Sequence, residues 1–326
     1  MERRILSGFS LITFLFIILF LSFSSSLAAE KYPSRPIELV CGFSPGGSSD
    51  LQNRTLAKFL EKYLKVPVVP VNKPGAGGLT AVTHVTNAPP DGYTIGQYSD
   101  TSIFVPLLRG QMSFPLEDIY VVCQFSLVQH IINVTADSQW KTFQEFIDYA
   151  RNNPGVKYAH AGIGSHIWLR MENLNRLAKL KMIGVPLRSG AESLAAVLGK
   201  HVPVGGLTPE IVKPHEDAGK LRTLFSFDPP APFGLDPKLP HGRSVFGDLW
   251  TDIECTPIMT APNKTPRDIM QVLEQTMEMI TKDPEFVNYF KEKFYSASAF
   301  QGGKTLTQIE WPKKIALIKE ILQDVK

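Results

Sequence analysis

A strand that ends in glycine and restarts as a helix, several times over, is the feature that most constrains this chain. Its first instance is Phe43-Ser44-Pro45-Gly46-Gly47-Ser48-Ser49-Asp50. The apolar run Ile37 to Phe43 reads as a short buried strand, and Leu56, Phe59, Leu60, Tyr63 and Leu64 recur at helical spacing after it. Ser49 and Gln52 fit a capping box, which predicts a helix start near Ser49. Glycine lets a ligand approach the backbone closely, and the free N–H groups of a helix start suit an anion such as a carboxylate. A single loop of this kind is also what a plain turn needs, so its meaning depends on recurrence.

It recurs. Asn72-Lys73-Pro74-Gly75-Ala76-Gly77-Gly78 precedes a helical run from Leu79 to Asn87, and the strand Thr94 to Tyr98 ends in Ser99-Asp100-Thr101-Ser102. Further on, the strand Val156 to His160 runs into Gly162-Ile163-Gly164-Ser165-His166 and an amphipathic helix. Ile183 to Leu187 runs into Arg188-Ser189-Gly190, where Ser189 and Glu192 form a capping box. Val202 to Leu207 runs into Thr208-Pro209, an N-cap followed by proline at the first helical position. Alternating strands and helices predict parallel pairing, and ligands in such sheets bind beyond the carboxyl ends of the strands.

The strand-like tracts Tyr120 to Val134 and Ile253 to Thr260 fall where composition shifts, and read as two crossings between domains. Thr265-Pro266 and Asp283-Pro284 start two further helices, and Thr307 with Glu310 reads as the cap of the last one. The expected fold is therefore α/β and two-lobed, each lobe a mostly parallel sheet flanked by helices. Residues 29–130 and 256–326 make lobe 1, and residues 131–255 make lobe 2. Two lobes joined by two crossings imply a cleft that closes on a small anion by hinge motion.

The N-terminus reads as a leader. Arg3 and Arg4, an apolar run from Phe9 to Phe23 and the small residues before Ala29 are a signal-peptide pattern over residues 1–28, cleaved after Ala28 or Ala29. The run is short for a spanning helix. Losing Glu2, Arg3 and Arg4 with the leader lowers the net charge from +3 to +2. Near-balanced charge gives no electrostatic case for nucleic acid or an anionic membrane surface. Cys41, Cys123 and Cys255 are odd in number and sit in apolar surroundings, which favours buried free thiols; no CxxC or Cys/His spacing points to a metal, and no cofactor motif is present.

The chain resembles the substrate-binding proteins of tripartite tricarboxylate transporters, the Bug receptors. Seven stretches carry the resemblance in order across the mature chain: Tyr32-Pro33-Ser34-Arg35-Pro36-Ile37; Phe43 to Gly47 with Asp50; Val71 to Gly78; Asp91-Gly92-Tyr93-Thr94; Gly162 to His166; Val185-Pro186 with Arg188-Ser189-Gly190; and Ala261-Pro262 with Thr265-Pro266. The resemblance implies a periplasmic receptor of the type II, flytrap-like class and no enzyme activity. It implies a monomer that hands a small carboxylate to a permease of one large and one small subunit. It also implies ligand-binding roles for Phe43, Gly46, Gly47 and Asp50, for Gly164, Ser165, His166, Ser189 and Gly190, and, on a looser pattern, for Ser99 and Thr101. Leu187, Pro203 and Leu207 depart from the pattern and bear on the ligand's distal end.

Three places in the chain keep more than one reading. Ser165-His166 invites a secreted hydrolase, but neighbours in sequence rarely face each other as nucleophile and base, and no G-x-S-x-G elbow is present. His166 then either bonds the ligand or serves the helix start. Asp50 beside an anion site is either a first-turn residue complementing the helix dipole or a binder of water or ammonium. Arg188 either pairs with a carboxylate or is solvated. A receptor feeding a sensor protein rather than a permease fits the same residues.

Overall fold

The computed structural model describes residues 31–296, 300–323 and 325; the expected leader over residues 1–28 lies outside them. Arg35–Lys326 form one compact unit. The chain enters at β1 (Ile37–Cys41) and turns into α1 (Ser48–Leu64), then continues as β2 (Val68–Asn72), α2 (Leu79–Thr86), β3 (Thr94–Ser99) and α3 (Thr101–Leu108). β4 (Ile119–Gln124), β5 (Leu127–Val128) and β6 (Ile131–Thr135) carry it across. The second lobe runs α4 (Phe143–Asn152), β7 (Lys157–His160), α5 (His166–Leu177), β8 (Ile183–Pro186), α6 (Gly190–Leu198), β9 (Val204–Leu207), α7 (Pro209–Asp217) and β10 (Leu221–Ser226). The return is β11 (Pro257–Pro262), α8 (Arg267–Lys282), α9 (Pro284–Glu292), β12 (Tyr295–Ser296), β13 (Gln301–Gly302) and α10 (Trp311–Gln323).

Among the described residues two large sheets result, ordered β13-β4-β11-β3-β1-β2 and β10-β6-β9-β7-β8, with β12 and β5 pairing as a small third. The two-lobed α/β class stands, but the sheets are mixed. β1 pairs in parallel with β2 and β3, as β7 does with β8 and β9. The strands that travel between lobes pair antiparallel: β11 with β3 and β4, and β6 with β9 and β10. A chain that leaves and comes back must run in both directions at the crossing. Strand-to-helix periodicity does not reveal that.

Each sheet buries its own core. Trp140, Phe143, Phe146, Phe225, Phe227 and Trp250 dominate lobe 2. Val82, Tyr98, Phe104, Ile258 and Trp311 belong to the core of lobe 1. α5 serves both. Ile167, Met171 and Leu174 pack into the lobe 2 core, while Trp168 and Leu169 are buried in that of lobe 1. Burying a leucine of this kind stabilises by about 2 kcal/mol, so α5 is fastened on two faces.

The last helix starts earlier than its supposed cap. Residues 303–310 are already helical, and the Thr307 hydroxyl donates to the Gly303 carbonyl at 2.9 Å inside a turn. The start lies where it does because Gly303 rests directly on β4; a Cβ there would overlap the Val121 carbonyl.

Candidate functional site

The helix starts α1, α5 and α6, the turn into α7, and the ends of β3 and β9 meet around a cavity of about 70 Å³. That is room for about five waters or a small solute. Its position beyond the carboxyl ends of parallel strands is the one expected for a ligand site.

At α1 the N-cap is Gly47, with no side chain closing the first turn. The helix begins at Ser48, so Ser49 and Gln52 do not form the expected capping box. Ser49 lies inside the first turn, and Gln52 donates instead to Ser48 Oγ (3.4 Å) and accepts from Ser126 Oγ (3.3 Å). First-turn N–H groups lack intrahelical acceptors, and Gly47, Ser48 and Ser49 line the cavity. Phe43 lines it too.

Gly46 and Asp50 do not line it. The Gly46 N–H donates to Asp50 Oδ2 at 2.9 Å, and Arg54 Nε donates to the same oxygen at 2.9 Å. Asn72 Nδ2 reaches Asp50 Oδ1 at 2.9 Å and the Phe43 carbonyl at 2.8 Å. Burial raises the pKa of Asp50, but the bonds from Arg54, Gly46 and Asn72 outweigh it and leave the group below its ordinary range. Asp50 is thus a strut that shapes the glycine turn from behind.

In lobe 2 the helix starts are closed by serine. Ser165 Oγ accepts from the Trp168 N–H at 3.4 Å, and Ser189 Oγ accepts from the Glu192 N–H at 3.3 Å. Ser165 and His166 line the cavity, as does Gly190, but Ser189 is buried behind it. Ser99 lines it, with its hydroxyl 3.0 Å from that of Thr101, which is itself buried away from the space. The predicted residues that share the cavity are therefore Phe43, Gly47, Ser99, Ser165, His166 and Gly190.

Gly164 answers to a different demand. The glycine loops of the two lobes pack backbone on backbone: a Cβ on Gly77 would lie 2.3 Å from the Ile163 carbonyl oxygen and 2.8 Å from the Gly164 carbonyl carbon. The Ser44 N–H donates to the Arg188 carbonyl at 3.2 Å across the same seam. A second space of about 290 Å³, lined by Gly75, Gly77, Gly162, Leu187 and Arg188, lies along it; Phe43 and Ala161 line both spaces. Arg188 is exposed and does not reach the first cavity.

Gln97, His130, Thr208 and Cys255 are among the further lining residues that had not been singled out as ligand residues. Thr208 had a signal, its place before a helix-starting proline; the others had none, because they come from strand ends and crossings far apart in the chain. His166 Nε2 lies 2.8 Å from the Glu254 carbonyl, so it carries the proton, and Nδ1 is a bare acceptor without a protein partner. The rings of His130 and His166 stack with centroids 5.5 Å apart. Burial, then the charge of Arg170, pushes both imidazoles well below their ordinary pKa. One turn along α5, Arg170 pairs with Asp228 at 2.7 Å and donates to the Ile253 carbonyl, fastening the helix to the return crossing. Leu207 lines the cavity; Leu187 lines only the second space, and Pro203 lines neither. Among the described residues no Lys or Arg lines the cavity. Cys41, Cys123 and Cys255 are free and buried, and burial pushes Cys255 up to about 12.

The family model described as "Tripartite tricarboxylate transporter family receptor" matches residues 53–322. A UPF0065 protein in the gbd 5' region of Cupriavidus necator is 36% identical over 61% of this chain and 61% of its own length. A UPF0065 protein of Bordetella pertussis is 30% identical over 86% of this chain and 87% of its own length. Among solved structures, the periplasmic binding protein BugD superposes with a TM-score of 0.81 at 23% identity, covering 90% of this chain and 98% of that one. MatC from Rhodopseudomonas palustris with bound malate superposes with a TM-score of 0.75 at 21% identity, covering 90% and 98%.

Proposed function

This chain belongs to the tripartite tricarboxylate transporter receptor family, a family of binding proteins rather than enzymes, and on that premise we propose that it captures a small carboxylate between its lobes for delivery to a membrane permease. The single observation that carries this is the α1 start. Its N-cap is glycine, no side chain closes its first turn, and that turn lines the interlobe cavity. Uncapped N–H groups and the positive end of the helix dipole favour a carboxylate there without a lysine or arginine.

Phe43, Gly47, Ser99, Ser165, His166 and Gly190 are the ligand residues in this reading, with Ser48, Ser49 and Thr208 beside them. Gly46, Asp50, Thr101, Gly164 and Ser189 hold those residues in place. Residues 29–130 with 256–326 form one jaw and residues 131–255 the other. Cleavage of the leader over residues 1–28 releases the receptor to the periplasm as a monomer. No helix among the described residues is long and apolar enough to cross a membrane. The malate of MatC supports the ligand class.

The test is a thermal-shift screen of mature protein against malate, adipate and other di- and tricarboxylates, amino acids and aromatic acids. A ligand at a hundredfold excess over its Kd adds about 2.7 kcal/mol of stability. A panel without a single upward shift would remove the reading.

A further inference from the structure

The cavity has two unlike ends. One is made of donors, the uncapped first turn of α1. The other is formed by His130, His166 and Gln97, each with a buried polar atom that finds no protein partner: Nδ1 of the two histidines and Oε1 of the glutamine. Cys255 lies beside them. One ligand-type atom from each of His130, His166 and Cys255 lies within 4.8 Å of the others. Sequence spacing gave no hint of this. The three residues come from the outward crossing, the start of α5 and the return crossing, and only the fold brings them to one place.

We propose that His130, His166 and Cys255 hold a late first-row divalent ion, of the zinc, cobalt or nickel type, which the carboxylate solute also ligates. The receptor would then capture a metal–carboxylate chelate; this deepens, and rests on, the receptor reading above. Three features of the site support it. Imidazole nitrogen and thiol sulfur are the donors such ions prefer over magnesium or calcium. His166 donates its other ring N–H to the Glu254 carbonyl at 2.8 Å, the arrangement that orients a metal-binding histidine and leaves the opposite nitrogen bare. Two donors on one tetrahedral zinc sit about 3.5 Å apart, so the present spacing leaves about 1 Å for the side chains to close around an ion.

Charge balance points the same way. Burying a carboxylate without a countercharge is expensive, and no Lys or Arg lines this cavity among the described residues. Two cations near the crossings are committed elsewhere: buried Arg170 to Asp228 and the Ile253 carbonyl, half-buried Lys314 to Asp100 and the Glu254 carbonyl. A dication with a dicarboxylate enters as a neutral species, and binding to the Cys255 thiolate leaves one negative charge in the site rather than the two that the bare dicarboxylate would bring. The Cys255 sulfur–metal bond forms as the S–H bond breaks, and the proton leaves to solvent; no electron moves.

The experiment is calorimetry on chelator-treated mature protein with malate and adipate, each in the presence of EDTA and then of zinc(II) or cobalt(II), with each metal alone as a further arm. The expected result is carboxylate affinity at least tenfold higher with metal. A near-ultraviolet thiolate-to-cobalt band should appear in the cobalt form and vanish in Cys255→Ser, a nearly isosteric change. His166→Gln, checked by circular dichroism for its fold, should lose the metal dependence. Equal carboxylate affinity in EDTA and in metal overturns the chelate while leaving the receptor reading intact. A cobalt band without carboxylate binding in any arm keeps the metal site and removes the solute. Absence of the band and of metal binding overturns the site.

Discussion

The start of α1 in lobe 1 and the start of α5 in lobe 2 face the same cavity and are finished differently. α1 has glycine at its N-cap and no side-chain cap, with its turn propped from behind by Asp50. α5 has Ser165, whose oxygen already accepts from the helix, and His166, which is tied to the return crossing. The first leaves its amides without a side-chain partner; the second presents side chains on a satisfied frame. In the proposed reading, a jaw that grips an anion by backbone needs a support that does not occupy the grip, and Asp50 behind the loop meets that need.

Acid should separate the two lobes most strongly. Burial lowers His160, at the end of β7, to about 4. An unfolded chain takes up that proton near pH 6.5, so stability is lost as pH falls from about 6.5 toward 4, on the order of 3 kcal/mol in all. Asp50, held below its ordinary range, keeps its contribution through that window and gives it up only at lower pH. Chemical denaturation from pH 7 to pH 4 should show this loss on top of that from His130 and His166, which burial also holds well below their ordinary pKa, and His160→Gln should reduce the slope without abolishing it. An unchanged slope in that variant would assign the acid sensitivity elsewhere.

Asp50→Ala should cost about 2–3 kcal/mol, because it strips acceptors from the Gly46 amide and Asn72 in a buried place. Carboxylate affinity should fall as well, although Asp50 does not line the cavity. Unaltered affinity would break the strut reading. Gly77→Ala places a methyl against the Ile163 carbonyl at a positive φ. It should hold the jaws apart, seen as a larger radius in solution scattering and about tenfold weaker binding. Ser189→Ala should cost about 1 kcal/mol through the lost cap and leave affinity nearly unchanged. Smallest in stability is Gly47→Ala, whose new methyl meets the Ser189 Cβ at 3.3 Å. Denaturation should barely register it while calorimetry records weaker carboxylate binding. The reverse pattern in the last pair would mean that the capped helix, not the bare one, does the gripping.

Local chemistry carried much of this protein. Hydrophobic periodicity marked β1 and the starts of α1 and α5 to within a residue or two, and Ser189 sat at a helix start where the capping box with Glu192 put it. Those are properties of neighbours in the chain, so one sequence reveals them. Whether Gly46 serves a ligand or a strut, and whether Gly164 lines a cavity or packs against Gly77, depends on backbone from the other side of a turn or the other lobe. The meeting of His130, His166 and Cys255 depends on where two crossings pass each other in space. Contacts between distant segments are set by how sheets and helices pack, and no pattern along the chain encodes that distance.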